Sequence, residues 1–96
     1  MPWANPDRCP LTKEFIGTIP PVPGVYALCL GREFIYIGDT ENLQRKLLDH
    51  LDEKSECISR MNPDTFSFEP VPDPERVARR NRLILELNPV CNQKMG

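Results

Sequence analysis

A chain of 96 residues and 11.0 kDa has the size of one small domain, which excludes a two-domain enzyme with a large interdomain cleft. Hydrophobic residues at 40% and charged residues at 27% are the proportions of a folded chain, not a disordered one. Twelve Lys and Arg against fourteen Asp and Glu give a formal charge of -2, which excludes coating of DNA by bulk charge but leaves room for a local basic patch.

The chain opens on Met1-Pro2-Trp3-Ala4, with neither the cationic start nor the apolar run of a secretory signal. Its apolar stretches, such as Val25 to Leu30, fall far short of the ~20 residues of a membrane span. A cytoplasmic protein without a membrane partner is the expectation. Pro2, Pro6 and Pro10 predict an irregular extension over residues 1–17, relieved by a helical turn within Leu11 to Ile16. Cys9, Cys29, Cys57 and Cys91 lack the Cys-x-x-Cys spacing that lets two thiolates reach one zinc from a tight turn, so buried free thiols are expected.

After Pro20, Pro21 and Pro23, the segments Val25 to Leu30 and Glu33 to Ile37 are rich in β-branched and aromatic residues and break at Gly31-Arg32, which predicts a hairpin. Pairing Leu28 with Tyr36 requires a bulge or an odd loop. It puts Tyr26, Leu28, Leu30, Phe34 and Tyr36 on one face and Val25, Ala27, Cys29, Ile35 and Ile37 on the other, so both faces should be covered. Leu43, Leu47, Leu48 and Leu51 recur at helical spacing over Glu41 to Leu51, with Asp39 or Thr40 as the cap. Ser55 to Met61 reads as a shorter helix. Thr65 to Glu69 alternates as a third strand, expected at an edge because Pro70 follows. The last helix has Asp73 as cap and Pro74 at its first position, turns Val77, Ile84 and Leu87 inward, and stops at Pro89. The fold class is α+β: a three-stranded antiparallel sheet flanked by helices in the order β-β-α-α-β-α.

Gly24-Val25-Tyr26, ten residues before Tyr36-Ile37-Gly38, then Asn42-Leu43, a cationic turn, His50 and a closing Pro89-x-x-Asn92, resembles the GIY-YIG nuclease family over residues 18–93, with 94–96 as a tail. The resemblance implies catalytic positions at Tyr26, Tyr36, His50 and Asn92. It also implies a phosphodiester substrate, whose hydrolysis needs a deprotonated water, stabilised phosphate charge and help for the leaving oxygen. Two departures follow from the same comparison. The family's arginine position falls on Lys46, beside Arg45, and an ammonium lacks the bidentate fork of a guanidinium. Its metal-binding glutamate position falls on Arg80, a cation where Mg²⁺ would want an anionic oxygen. Glu75 and Glu86 point about 140° and about 120° away from Arg80 on a regular helix and are not natural substitutes.

Arg76, Arg79 and Arg80 share one side of the last helix, either as a solvated, ion-paired face or as a grip on phosphate. Three functions are thus weighed. In the preferred one, a catalytically weakened domain binds a phosphodiester or another anion through Tyr26, Tyr36, Lys46, Arg45, His50, Arg76, Arg80 and Asn92, with no cofactor and no metal ligand expected. The second is an active Mg²⁺-dependent DNA endonuclease with a rearranged ligand, Asp39 or Asp49 being the carboxylates to hand. The third is an interaction module, a homo-oligomer among its forms, using Trp3 and an edge strand at Phe66 and Phe68.

Overall fold

The computed structural model describes residues 8–52 and 56–94. It places β1 at Cys9–Pro10, α1 at Lys13–Ile16, β2 at Gly24–Leu30, β3 at Glu33–Thr40, α2 at Leu43–Leu51, α3 at Glu56–Met61, β4 at Thr65–Pro70 and α4 at Glu75–Leu87, followed by a 3-10 segment at Val90–Lys94. The class is α+β, as expected. The sheet, however, is antiparallel with four strands in the order β1-β4-β2-β3. The fourth strand comes from the stretch expected to be irregular: Cys9 pairs with Phe66 and Pro10 with Thr65. Two residues suffice to move β4 inside, so the expected edge at Phe66 and Phe68 is covered at Phe66, which is buried. Pro10 has no amide hydrogen, which fits an outermost strand.

The hairpin does pair Leu28 with Tyr36, and of the two ways to reach that register it uses the bulge, which lies between Leu28 and Cys29. Gly31, first in the two-residue loop, takes a φ of 61°, the backbone sign that lets such a loop follow strand twist. Because Cys29 pairs with Phe34 and Leu28 with Tyr36, Ile35 is the extra residue. The bulge corrects the expected face assignment: Ile35 joins Tyr26, Leu28 and Tyr36, while Phe34 packs with Val25, Ala27, Cys29 and Ile37. Both faces are covered. The first carries α1, α2 and α3 through Ile16, Leu43, Leu47 and Ile58; the second carries α4 through Leu83, Ile84 and Leu87.

Helix boundaries correct three further details. Asn42, not Asp39 or Thr40, caps α2, its Oδ1 accepting from the Arg45 N–H at 3.0 Å, while the Thr40 hydroxyl accepts from the Asn42 N–H at 3.1 Å. Pro74 occupies the cap position of α4 and Asp73 instead forms an ion pair with Arg76. Leu83 and Arg76 turn inward from α4 and Val77 is exposed, so the face of the helix set against the sheet is rotated from the one expected, Arg76 reaching Asp39 from it. Cys57 and Cys91 form a disulfide between α3 and the 3-10 segment, contrary to the expectation of four thiols; Cys9 and Cys29 are free and buried. Among the described residues, no helix is long and apolar enough to cross a membrane.

Candidate active site

β2 and β3 run side by side so that Tyr26 lies opposite Gly38, and Tyr36 stands two residues before Gly38 on the same face. A Cβ at Gly38 would sit 2.5 Å from the Tyr26 hydroxyl and 2.9 Å from Tyr36 Cε2. Glycine is therefore required by side-chain crowding. The same holds for Gly24, where a Cβ would meet the Glu69 carbonyl and Leu43 Cδ1, both at 2.6 Å. These two glycines let α2 and the Tyr26 ring settle directly on the sheet.

His50, in the last turn of α2, reaches the same place. The Tyr26 hydroxyl is hydrogen-bonded to His50 Nε2 at 2.7 Å, donating to the ring when that nitrogen is unprotonated. The three rings form a closed triangle, with centroids 5.3 Å apart for Tyr26 and His50, 5.8 Å for Tyr36 and His50, and 6.2 Å for the two tyrosines. Tyr26 is buried, whereas Tyr36 and His50 are half-buried. A phenol held against an imidazole can pass a proton to it, and a second phenol beside them can donate to an anionic oxygen. Lys46 lies four residues before His50 on α2, hence on the same side of the helix, and is half-buried; Arg45 is exposed. Both line a shallow concavity of 270 Å³ with Thr40, Asn42 and Asp49.

The arginines go elsewhere. Asp39 follows Gly38 and so points to the opposite sheet face, where α4 lies. Arg80 Nη1 donates to Asp39 Oδ1 at 2.9 Å, and Arg76 Nε stands 3.3 Å from Asp39 Oδ2. That second contact is off the hydrogen-bonding direction and is charge attraction alone. Arg76 also faces Asp73 at 3.3 Å, and Arg79 donates from Nε and Nη2 to Glu69 Oε1 at 3.2 and 3.0 Å. The structure thus places Arg76 and Arg80 in an ion-paired cluster and the tyrosines and His50 in an aromatic one, back to back across β3.

Asn92 joins neither. Its Oδ1 accepts from the Ile37 N–H at 2.7 Å and its Nδ2 donates to the Ile37 carbonyl at 3.0 Å. β3 is the outer strand on that flank, and Ile37 turns both backbone groups away from β2, so one side-chain amide does there what a neighbouring strand would do. Sequence reasoning missed this clamp, the Asp39 anchor and the crowding at Gly38. Only the last had a local signal, the two-residue interval from Tyr36.

No protein-family model matches the chain, and neither does any curated protein. Solved structures do. The GIY-YIG N-terminal endonuclease domain of UvrC from Thermotoga maritima, bound to magnesium as its catalytic divalent cation, superposes with a TM-score of 0.71 at 26% identity, over 81% of this chain and 91% of that one. This chain is a divergent member of the GIY-YIG superfamily. An asparagine-to-alanine variant of the same Thermotoga domain, also bound to its divalent cation, matches with the same TM-score over 81% and 90% of the two chains.

Among the described residues no group of three or more His, Cys, Asp or Glu side chains could hold a metal ion. Asp39, a carboxylate to hand for a rearranged site, is bracketed by two guanidiniums that neutralise its oxygens and would repel a divalent ion.

Proposed function

We infer that this GIY-YIG domain binds a nucleic-acid phosphodiester, or an anion of like chemistry, on its aromatic face, and that its capacity for metal-assisted cleavage is weakened. The observation that carries the reading is the Tyr26–His50 hydrogen bond at 2.7 Å with Tyr36 closing the triangle, an arrangement of proton donors with Lys46 one turn away. Tyrosine-to-phenylalanine variants of the Thermotoga domain, each bound to the catalytic cation, fall at two positions ten residues apart and at a third fourteen beyond. Tyr26, Tyr36 and His50 keep those intervals here. The phosphate would be met by neutral donors and one ammonium. Arg76 and Arg80, tied to Asp39 on the other face, would support the strand without touching ligand.

The test is fluorescence anisotropy with a labelled DNA duplex across a salt series, together with nicking of supercoiled plasmid in Mg²⁺. Binding that weakens with salt, falls about tenfold in Lys46→Ala and falls severalfold in Tyr36→Phe, with little nicking, is expected. No binding at low salt would sink the reading. Mg²⁺-dependent nicking by the unaltered chain that disappears in Tyr36→Phe would replace it with the active endonuclease.

A further inference from the structure

The 3-10 segment that carries Asn92 is held to the rest of the fold by two devices one residue apart. Asn92 clamps Ile37 on the outer flank of β3, and Cys91 is joined to Cys57 of α3 by a disulfide with the Cα atoms 5.7 Å apart. The cross-link spans 34 residues of sequence, including β4 and all of α4, so it fixes the end of the domain against its middle. Cys91 is buried and Cys57 is half-buried, so the bond is approached from the α3 side.

We propose that Cys57 and Cys91 form a reversible thiol–disulfide site whose oxidised form seats the Asn92 amide on β3 and whose reduced form releases it. The reagent is a small thiol of the glutathione class. One thiolate attacks the Cys57 sulfur, the Cys57–Cys91 bond breaks, and the electron pair leaves on Cys91 as a thiolate that takes a proton. A second thiolate attacks the external sulfur of the mixed disulfide and expels the Cys57 thiolate, which is protonated in turn. Two external thiols become one disulfide, and one protein disulfide becomes two thiols. Oxidation by the external disulfide runs the same steps backward.

The consequence follows from local structure. A single 3-10 turn has few internal hydrogen bonds to resist fraying and so opens at the low end of the local stability range. With the cross-link in place, Asn92 is presented to Ile37 by its immediate neighbour. Without it, the two side-chain hydrogen bonds and the packing of the buried Cys91 side chain hold the segment with no covalent tie. The Ile37 N–H, bonded to Asn92 Oδ1, reports the difference directly. Tyr36 is the next residue along β3, so the aromatic face adjoins the strand position that the clamp steadies.

Hydrogen exchange read at single residues on the whole chain, with and without a reduced glutathione buffer, tests the proposal. Intact mass should show the oxidised form lighter by two hydrogen atoms. Reduction should accelerate exchange of the Ile37 amide at least about tenfold while leaving the central amides of β2 unchanged. The double variant Cys57→Ser/Cys91→Ser should exchange fast at Ile37 in either buffer and keep its β2 protection. The proposal is overturned if Ile37 is equally protected in both redox states, if no oxidised species forms, or if reduction speeds β2 and Ile37 together, since the bond would then support the whole fold and not the clamp.

Discussion

The two faces of β3 solve opposite problems with neighbouring residues. On one, Gly38 removes its own side chain so that Tyr26, Tyr36 and His50 converge into an aromatic cluster in which Tyr36 and His50 are half-buried. On the other, Asp39 gathers Arg76 and Arg80 into a cluster where charges satisfy one another. The first face has chemistry to offer a ligand; the second has spent its charges internally. A row of arginines on a helix therefore says little about anion binding until the acidic residues facing it are known.

The sharpest way to break this comparison is Asp39→Ala. Removing one partner of a largely buried pair leaves a desolvated guanidinium, at side-chain exposures of 11% for Arg76 and 14% for Asp39, and should cost about 3 kcal/mol in denaturant melts. DNA binding at temperatures where the variant stays folded should be unchanged. A matching loss of binding would mean that the faces are not independent. Next, Gly38→Ala drives a methyl group into the Tyr26 and Tyr36 rings and should cost about 2 kcal/mol while abolishing the Tyr26–His50 contact, visible as a shift of the His50 ring signals in NMR spectra.

A third effect lies within the core beneath the arginines. Burial pushes the Cys29 thiol from 9.0 up to about 11, outweighing the lowering effect of Arg8. The folded state then holds its proton where the unfolded chain has released it. The associated stability is fully present below pH 9 and is lost as pH climbs toward 11, by up to about 1.4 kcal/mol per unit. Melts at pH 8 and pH 10 should show the decline, and Cys29→Ala should flatten it. The smallest effect is expected for Arg80→Ala. With Arg80 35% exposed and Arg76 still facing Asp39, the loss should stay below about 1 kcal/mol.

What the sequence disclosed was local. The hairpin, its Leu28–Tyr36 pairing, the amphipathic α2 and the stop of α4 near Pro89 all arise from propensity and periodicity within a few residues, and each is found. The motif intervals brought Tyr26, Tyr36 and His50 to notice, and the fold does bring them together. What stayed hidden was long-range. A bulge was one of two ways to reach the Leu28–Tyr36 register, and its effect on Phe34 and Ile35 depends on where in the ladder it falls. Asp39 meets residues 37 and 41 positions away, Asn92 meets Ile37 across 55, and Cys57 meets Cys91 across 34. No pattern of period two or 3.6 encodes such meetings. Two short residues at the start, Cys9 and Pro10, show the same limit: nothing in their composition announces a strand, yet β4 supplies them with a partner.

The amide of Asn92 has a meaning beyond the domain's own packing. An outer strand offers its backbone to any extended peptide that drifts past, including the same strand of another molecule. At Ile37 that invitation is already answered by a side chain, so polymerisation through this flank must first evict it. A single carboxamide thereby occupies the one N–H and the one carbonyl that an incoming strand would need at this position.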